Sequence, residues 1–134
     1  CELLGRRFPA GEGGPQVILA GGALDLKAGV VMGSRTERIL NQYHADAVVF
    51  SARGLDEEGC LDTNDDAAGC IRAMIDHASL VILLADRSKF GSPAMARVVS
   101  WNRIDILIAA ATPENREELR RIARLGVRVV PIGA

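Results

Sequence analysis

A run of apolar residues in the second half of the chain constrains the fold more than any other feature. The residues Leu80–Leu84 are apolar without interruption, and Ala85 closes the run. Such a run predicts a strand that is buried on both faces, which is typical of parallel sheets covered by helices. The run therefore favours an α/β fold.

The remaining segments alternate between strand and helix patterns. We predict further strands, each a short apolar run, at Gln16–Ala20, Ala45–Phe50, Arg103–Ala109 and Val127–Ile132. Helices are predicted where capping residues precede apolar residues at helical spacing, at Ser34–Tyr43, Thr63–Ala78 and from Thr112 to Gly126. Ala23–Val31 is predicted to be irregular, and Phe90–Asn102 to be a loop or short helical turn. This order predicts an α/β domain with a mostly parallel sheet flanked by helices on both faces.

Length and composition narrow the functional classes. The 134 residues suit one domain, residues 1–134, and the net charge of −1 gives no basic stripe for nucleic acid. No apolar run approaches the roughly 18 residues that span a bilayer, so no membrane association is expected. The three cysteines form no Cys-x-x-Cys pair, which predicts free thiols in a cytoplasmic protein, and no metal or cofactor is expected. The chain begins without Met, and Cys1–Arg7 resembles a helix end, which suggests a fragment whose N-terminal part is truncated.

Charged side chains follow the apolar run directly. Asp86, Ser88 and Lys89 come at the predicted carboxyl end of this strand, where ligands bind in open α/β sheets. Of the 16 basic residues only Lys27 and Lys89 are lysines, so a lysine at this position is unusual for the chain. Lysine is a compact charge that suits a binding site. The alternative is a solvated lysine in a turn.

Two other strand ends carry candidate ligand contacts. Arg53 and Gly54 follow the strand Ala45–Phe50, and a guanidinium at that place can form two hydrogen bonds to a phosphate. Alternatively, Arg53 pairs with an acid of the following loop. Gly21 and Gly22 follow the first predicted strand, where glycines let a ligand approach the backbone closely or simply form a tight turn.

Several stretches taken in order resemble one known family. They are Val17–Gly22 with Gly33 downstream, Ala45–Phe50 leading to Arg53-Gly54-Leu55 and Gly59, Arg72–Ile75 with Ala78, and Ala85–Gly91. This succession resembles the C-terminal effector-sensing domain of DeoR-type bacterial transcriptional regulators, over about residues 17–110.

The resemblance implies a fold like that of ribose-5-phosphate isomerase and a phosphorylated sugar as effector. It implies that Gly21 and Gly22 line the pocket, that Arg53 and Gly54 form the neighbouring loop, and that Lys89 meets the phosphate or carbonyl oxygen with Asp86 nearby. Family members carry a helix-turn-helix ahead of this domain, so DNA would be bound only through a module that is absent here. We expect the first strand and its glycine-threonine loop to be missing from these residues as well. By the same resemblance, Ala67 or Gly69 and Ile71 stand where the family has an acid and a lysine.

Three functions remain open at this stage. The first is the sensing domain itself. The second is a sugar-phosphate isomerase, in which a carboxylate acts as base and Lys89 stabilises an enediolate; the acids available are Asp62, Asp65, Asp66 and Asp86. The third is an oligomerisation module with a vestigial pocket, in which Met95 and Trp101 contact another copy. We expect no enzymatic activity and a homo-oligomer.

Overall fold

A computed structural model describes residues 16–133 and shows a parallel sheet of four strands as the centre of the fold. Its strands are β3 (Val48–Ser51), β6 (Val81–Ala85), β8 (Ile106–Ala110) and β9 (Arg128–Ile132), and they lie side by side in that order. All three pairings are parallel. The predicted α/β fold with a mostly parallel sheet flanked by helices is therefore confirmed.

Three α-helices are present in the described part of the chain. They are α1 (Ser34–Leu40), α2 (Asp65–Asp76) and α3 (Arg116–Arg124). The helix α2 links β3 to β6, and α3 links β8 to β9, because parallel neighbours require a crossover. Both helices are capped differently from the prediction. The Asn64 side chain, rather than Thr63, accepts from the backbone N–H groups of Asp66 and Ala67 at the start of α2. The helix α3 begins at Arg116, not at Thr112.

The helix α1 also departs from the prediction. No side chain caps it, so Ser34 does not form the expected capping box, and Gly33 precedes it with a φ of 101°. The helix ends at Leu40, and Tyr43, which we predicted to point inward, is exposed.

One face of the parallel sheet forms the core. Its buried residues include Val48, Leu83 and Leu107, and they share a cluster with Ile75 of α2 and Ile122 of α3. Burial alternates along β6, where Leu84 remains 40% exposed. The prediction that this strand is buried on both faces is therefore wrong within the described residues, because the described helices α2 and α3 supply the core cluster of one face only.

The region predicted to be least regular contains strands. The segment Ala23–Val31 holds most of an antiparallel hairpin, β1 (Ala23–Asp25) and β2 (Val30–Met32), whereas residues 16–20 form no strand. The segment Phe90–Asn102 contains β7 (Ala96–Ser100), which joins β4 (Gly54–Leu55) and β5 (Gly59–Asp62) in a second, antiparallel sheet. The missed strands are short, and β7 pairs with a strand that is distant in the chain.

Asp56 holds the antiparallel sheet together. Its carboxylate accepts two hydrogen bonds from Arg97, at 2.8 and 2.9 Å, and two more from the backbone N–H groups of Glu58 and Gly59. The backbone oxygen of Asp56 accepts from the indole N–H of Trp101 at 3.0 Å. Trp101 is buried, so this residue, which we had considered for an interface, belongs to the core, whereas Met95 is 81% exposed.

The cysteines that the structure describes form no disulfide. Cys60 and Cys70 are free and buried, and burial raises the pKa of the Cys60 thiol to about 12. Cys1 lies outside the described residues. Within residues 16–133, no helix has both the length and the apolar character that crossing a bilayer requires.

The ion pair of Asp56 and Arg97 should make stability depend on pH in the acid range. The hydrogen bonds from Arg97 lower the pKa of Asp56 from 3.8 to about 2. The stabilisation is therefore complete above pH 3.8 and is lost as the pH falls toward 2. Because both side chains are about a third exposed, we expect Asp56→Asn to cost only about 1 kcal/mol at neutral pH.

Urea unfolding at a series of pH values between neutral and 2 tests this prediction. We expect the free energy of unfolding of Asp56→Asn to fall less steeply with acid than that of the wild type. The exposed Asp46 provides the control, and Asp46→Asn should follow the wild-type curve. Identical acid dependence in Asp56→Asn and the wild type would contradict the assignment.

Candidate functional site

The candidate site lies beyond the carboxyl ends of β3 and β6, which are adjacent strands. Ser51 pairs in register with Leu84, so Arg53 and Asp86 each follow a paired position by two residues. Farther along, Leu55 pairs with Phe90, and the Gly91 N–H donates to the Leu55 oxygen at 3.0 Å. The segments that carry Arg53 and Lys89 therefore run side by side.

Gly54 permits this close approach. A Cβ atom at Gly54 would lie 2.1 Å from the backbone oxygen of Ser92, which real side chains do not allow. The glycine that the sequence placed in the ligand loop thus joins the β4–β5 hairpin to the turn after Lys89. A glycine is required at position 54 because two backbone segments pack directly against each other there.

Gly21 and Gly22 contact α1. The Thr36 hydroxyl donates to the Gly21 oxygen at 3.1 Å, and a Cβ atom at Gly22 would collide with the same hydroxyl. Neither glycine lines any of the three cavities described below. Contact with α1 explains why position 22 is small, whereas Gly21 has room for a Cβ atom, and the role of both glycines toward a ligand stays a prediction.

Asp86 caps a short 3-10 helix, Arg87–Lys89. Its carboxylate accepts from the backbone N–H and the hydroxyl of Ser88, at 2.7 and 2.5 Å. These hydrogen bonds lower the pKa of Asp86, and its side chain is exposed. Lys89 ends the turn and is half-buried. The turn therefore fixes the backbone of both residues relative to β6.

The largest of the three cavities has a volume of about 610 Å³ and lies between the β1–β2 hairpin, the end of β3 and the start of α2; we call it the hairpin cavity. Its basic residues are Lys27 and Arg53, and its other polar groups come from Asp25, Ser51, Asp62, Thr63 and Asn64. Its floor is apolar and includes Met32, Ala67, Ile71 and Met74. A mostly apolar pocket of this size with a few polar groups is typical of small-molecule sites.

Of the predicted site residues, the hairpin cavity contains Arg53, whereas Gly54, Asp86 and Lys89 line none of the three cavities.

The hairpin cavity also contains residues that sequence analysis treated differently. Asp62 was named there as an acid for the isomerase alternative, and Lys27 was assigned to no site. Ile71 and Met74 pack against the core cluster and also line this cavity, as does Ala67. The signal that could have identified Lys27 is that it is the only lysine besides Lys89.

Two other cavities lie beside α3. One, of about 440 Å³, lies between the Asp86 turn and α3 and is lined by Ser88, Asn115 and Glu118 among others. The other, of about 520 Å³, is an apolar groove between α3 and β9 that carries Arg116 and Arg120. Within residues 16–133, no three His, Cys, Asp or Glu side chains cluster closely enough to hold a metal ion.

The fold and the hairpin cavity together define a class of protein, an α/β domain with a partly polar pocket at the carboxyl end of a parallel strand, β3. Comparison with known proteins makes the class specific. The family of the DeoR C terminal sensor domain matches residues 10–110, and the chain belongs to this family. Its role is therefore that of a ligand-sensing regulatory domain.

Named relatives agree with this family. The chain is 33% identical over 100 residues to the HTH-type transcriptional repressor GlcR of Bacillus subtilis, covering 75% of this chain and 39% of the relative. It is 32% identical over 99 residues to the glycerol-3-phosphate regulon repressor of Escherichia coli, covering 73% of this chain and 39% of that protein. It is 29% identical over 110 residues to the L-fucose operon activator of Escherichia coli, covering 81% of this chain and 43% of that protein. The chain spans less than half the length of these relatives, which are named as transcriptional regulators, not enzymes.

The glycine at position 54 provides a test of the site's construction. We expect Gly54→Ala to lower the free energy of unfolding by about 1–3 kcal/mol, because the new methyl group meets backbone that cannot move aside. Gly21→Ala is the matched control, since a Cβ atom there finds its nearest neighbour at 3.7 Å. Chemical denaturation of both variants measures the difference, and equal stabilities would contradict the close approach.

Proposed function

We propose that this chain senses a phosphorylated sugar, or a closely related phosphorylated metabolite, in the hairpin cavity. In the whole protein, occupancy of this cavity would modulate DNA binding by an N-terminal helix-turn-helix, and the assembly would be a homo-oligomer. The domain would act without catalysis. The observation that carries the proposal is Arg53 at the mouth of β3, in a cavity that also presents hydroxyl and carboxylate groups.

The chemistry of the cavity lining supports this ligand class. A guanidinium matches the geometry of phosphate oxygens and can donate two parallel hydrogen bonds to them. Ser51 and Thr63 supply hydroxyl groups, and Asp62 supplies a carboxylate, which together suit the hydroxyl groups of a sugar. The apolar residues Ile71 and Met74 suit the carbon face of the same molecule. The name of one relative also refers to a phosphorylated polyol, glycerol 3-phosphate.

The proposal also gives roles to the residues of the neighbouring turn. Lys89, with Asp86 nearby, would approach the phosphate or carbonyl oxygen of the ligand from the turn after β6, which runs beside the Arg53 segment. Gly54 would keep the two segments close together, as would the Leu55–Phe90 pairing. Gly21 and Gly22 would border the ligand through the segment that leads into the β1–β2 hairpin.

Replacement of Arg53 tests the phosphate contact. In the full chain, a thermal-shift screen of sugar phosphates and their unphosphorylated parents should identify a ligand, and one present at 100 times its Kd adds about 2.7 kcal/mol of stability. Arg53→Met should then weaken the binding of this ligand about 10- to 100-fold, measured by calorimetry. The control is Arg124→Met, an exposed arginine of the last turn of α3, which should bind normally.

Two results would contradict the proposal. If no phosphorylated compound stabilises the full chain more than its parent, the ligand class is wrong. If Arg53→Met and Arg124→Met bind the ligand equally well, the hairpin cavity does not hold the phosphate.

Lys89→Ala examines the neighbouring turn and the enzymatic alternative in one variant. A binding role predicts a loss of affinity of about 10- to 100-fold and no conversion of sugar phosphates by the wild type. If Lys89→Ala binds the sugar phosphate as tightly as the wild type does, Lys89 does not contact the ligand. Turnover by the wild type that disappears in Lys89→Ala would favour an isomerase instead.

A further inference from the structure

We propose that Lys27, in the turn of the β1–β2 hairpin, acts as a second cation beside Arg53 by which this domain distinguishes a phosphorylated ligand from its unphosphorylated parent. The inference rests on the proposed function of the hairpin cavity and deepens it. Lys27 and Arg53 line this cavity from different elements, one from the hairpin and one from the end of β3. A phosphate between them would contact two cations, whereas a neutral sugar would leave both in water.

Hydrogen bonds in the hairpin turn fix the backbone of Lys27. The Asp25 carboxylate accepts from the backbone N–H groups of Lys27 and Ala28, at 2.8 and 3.0 Å, and the Gly29 N–H donates to the Asp25 backbone oxygen at 2.8 Å. Gly29 has a φ of 68°, which closes the turn. The backbone of Lys27 is therefore held in place while its long side chain remains exposed beside the cavity.

Each of the two acidic groups that line the cavity uses one carboxylate oxygen in backbone hydrogen bonds. One oxygen of Asp25 bonds to the turn, and one oxygen of Asp62 accepts from the Asn64 N–H at 3.1 Å. Among the residues that the structure describes, neither Lys27 nor Arg53 forms a salt bridge. Within the described residues, both side chains can therefore turn toward an anion without breaking an ion pair.

The start of α2 does not compete for that anion. The helix begins beside the cavity, but the Asn64 side chain accepts from the N–H groups of Asp66 and Ala67, at 2.8 and 3.2 Å. The first turn also carries the negative charges of Asp65 and Asp66, which repel a phosphate. An anion in the hairpin cavity is consequently favoured on the side of Lys27 and Arg53.

The choice of lysine agrees with this role. Fourteen of the 16 basic residues are arginines, so the hairpin carries one of only two lysines in the chain. An ammonium group on a flexible stem can follow a phosphate as a point charge, whereas Arg53 offers a fixed planar geometry. Because Lys27 is exposed, water and salt screen its charge, and we expect its contribution to be about tenfold in affinity.

Binding measurements on the full chain test this inference. The ligands are the sugar phosphate that binds best in the screen, its unphosphorylated parent, and inorganic phosphate as a minimal probe. Lys27→Met should weaken the sugar phosphate about tenfold and leave the parent unchanged, and Lys27→Arg should restore most of the loss. The affinity of Lys27→Met for the sugar phosphate should also depend less on ionic strength. Arg128→Met, which removes an exposed positive charge at the far edge of the sheet, is the control.

The outcomes separate this inference from the proposed function. If the wild type binds a sugar phosphate and Lys27→Met binds it equally well, Lys27 is not the discriminating residue, and the sensing proposal stands. If Lys27→Met weakens the parent as much as the phosphorylated ligand, the discrimination is overturned as well. If no sugar phosphate binds at all, the proposed function fails, and inorganic phosphate decides the role of Lys27. If inorganic phosphate shifts NMR signals near Arg53 in the wild type but not in Lys27→Met, Lys27 contacts the anion. If the same shifts persist in Lys27→Met, the role of Lys27 is overturned.

Discussion

The parallel pairing of β3, β6, β8 and β9 is the constraint on which the rest of the structure depends. Parallel neighbours cannot be joined by tight turns, so each pair requires a crossover, and α2 and α3 provide two of them. The crossovers cover one face of the sheet with apolar side chains, including those of Ile75 and Ile122. The same parallel order places the carboxyl ends of all four strands at one edge, so the segments that follow them become neighbours.

The antiparallel sheet of β4, β5 and β7 positions Arg53 and Gly54 at this edge. The Asp56 carboxylate, between β4 and β5, accepts hydrogen bonds from Arg97 and from two backbone N–H groups of the β4–β5 turn. Ionisation of Asp56 is therefore coupled to the shape of the hairpin. The pairing of Leu55 with Phe90 then connects the hairpin to the turn that carries Lys89. These hydrogen bonds fix the backbone of the segments that carry Arg53 and Lys89 relative to each other.

The electrostatics of the hairpin cavity agree with a sensor more readily than with an enzyme. The chain has a net charge of only −1, and the cavity is lined by two cations and two partly engaged carboxylates. Such an arrangement favours binding of an anion through charge and hydrogen bonds. General-base catalysis would instead need a carboxylate aimed at the reacting carbon, and Asp62 already gives one oxygen to the Asn64 N–H.

The sequence by itself determined the parallel sheet, its principal strands and the positions of α2 and α3. Strands such as Leu80–Ala85 and amphipathic helices are encoded by patterns of neighbouring residues, so the local sequence is enough to predict them. It also determined that Arg53, Asp86 and Lys89 follow strand ends, and the order of motifs indicated the DeoR sensor family. Only the tertiary structure decided that Arg53 shares a cavity with Lys27, that Gly54 contacts Ser92, and that β7 completes a second sheet. Those contacts join residues far apart in the chain, and their energy comes from pairing and burial that no local pattern encodes.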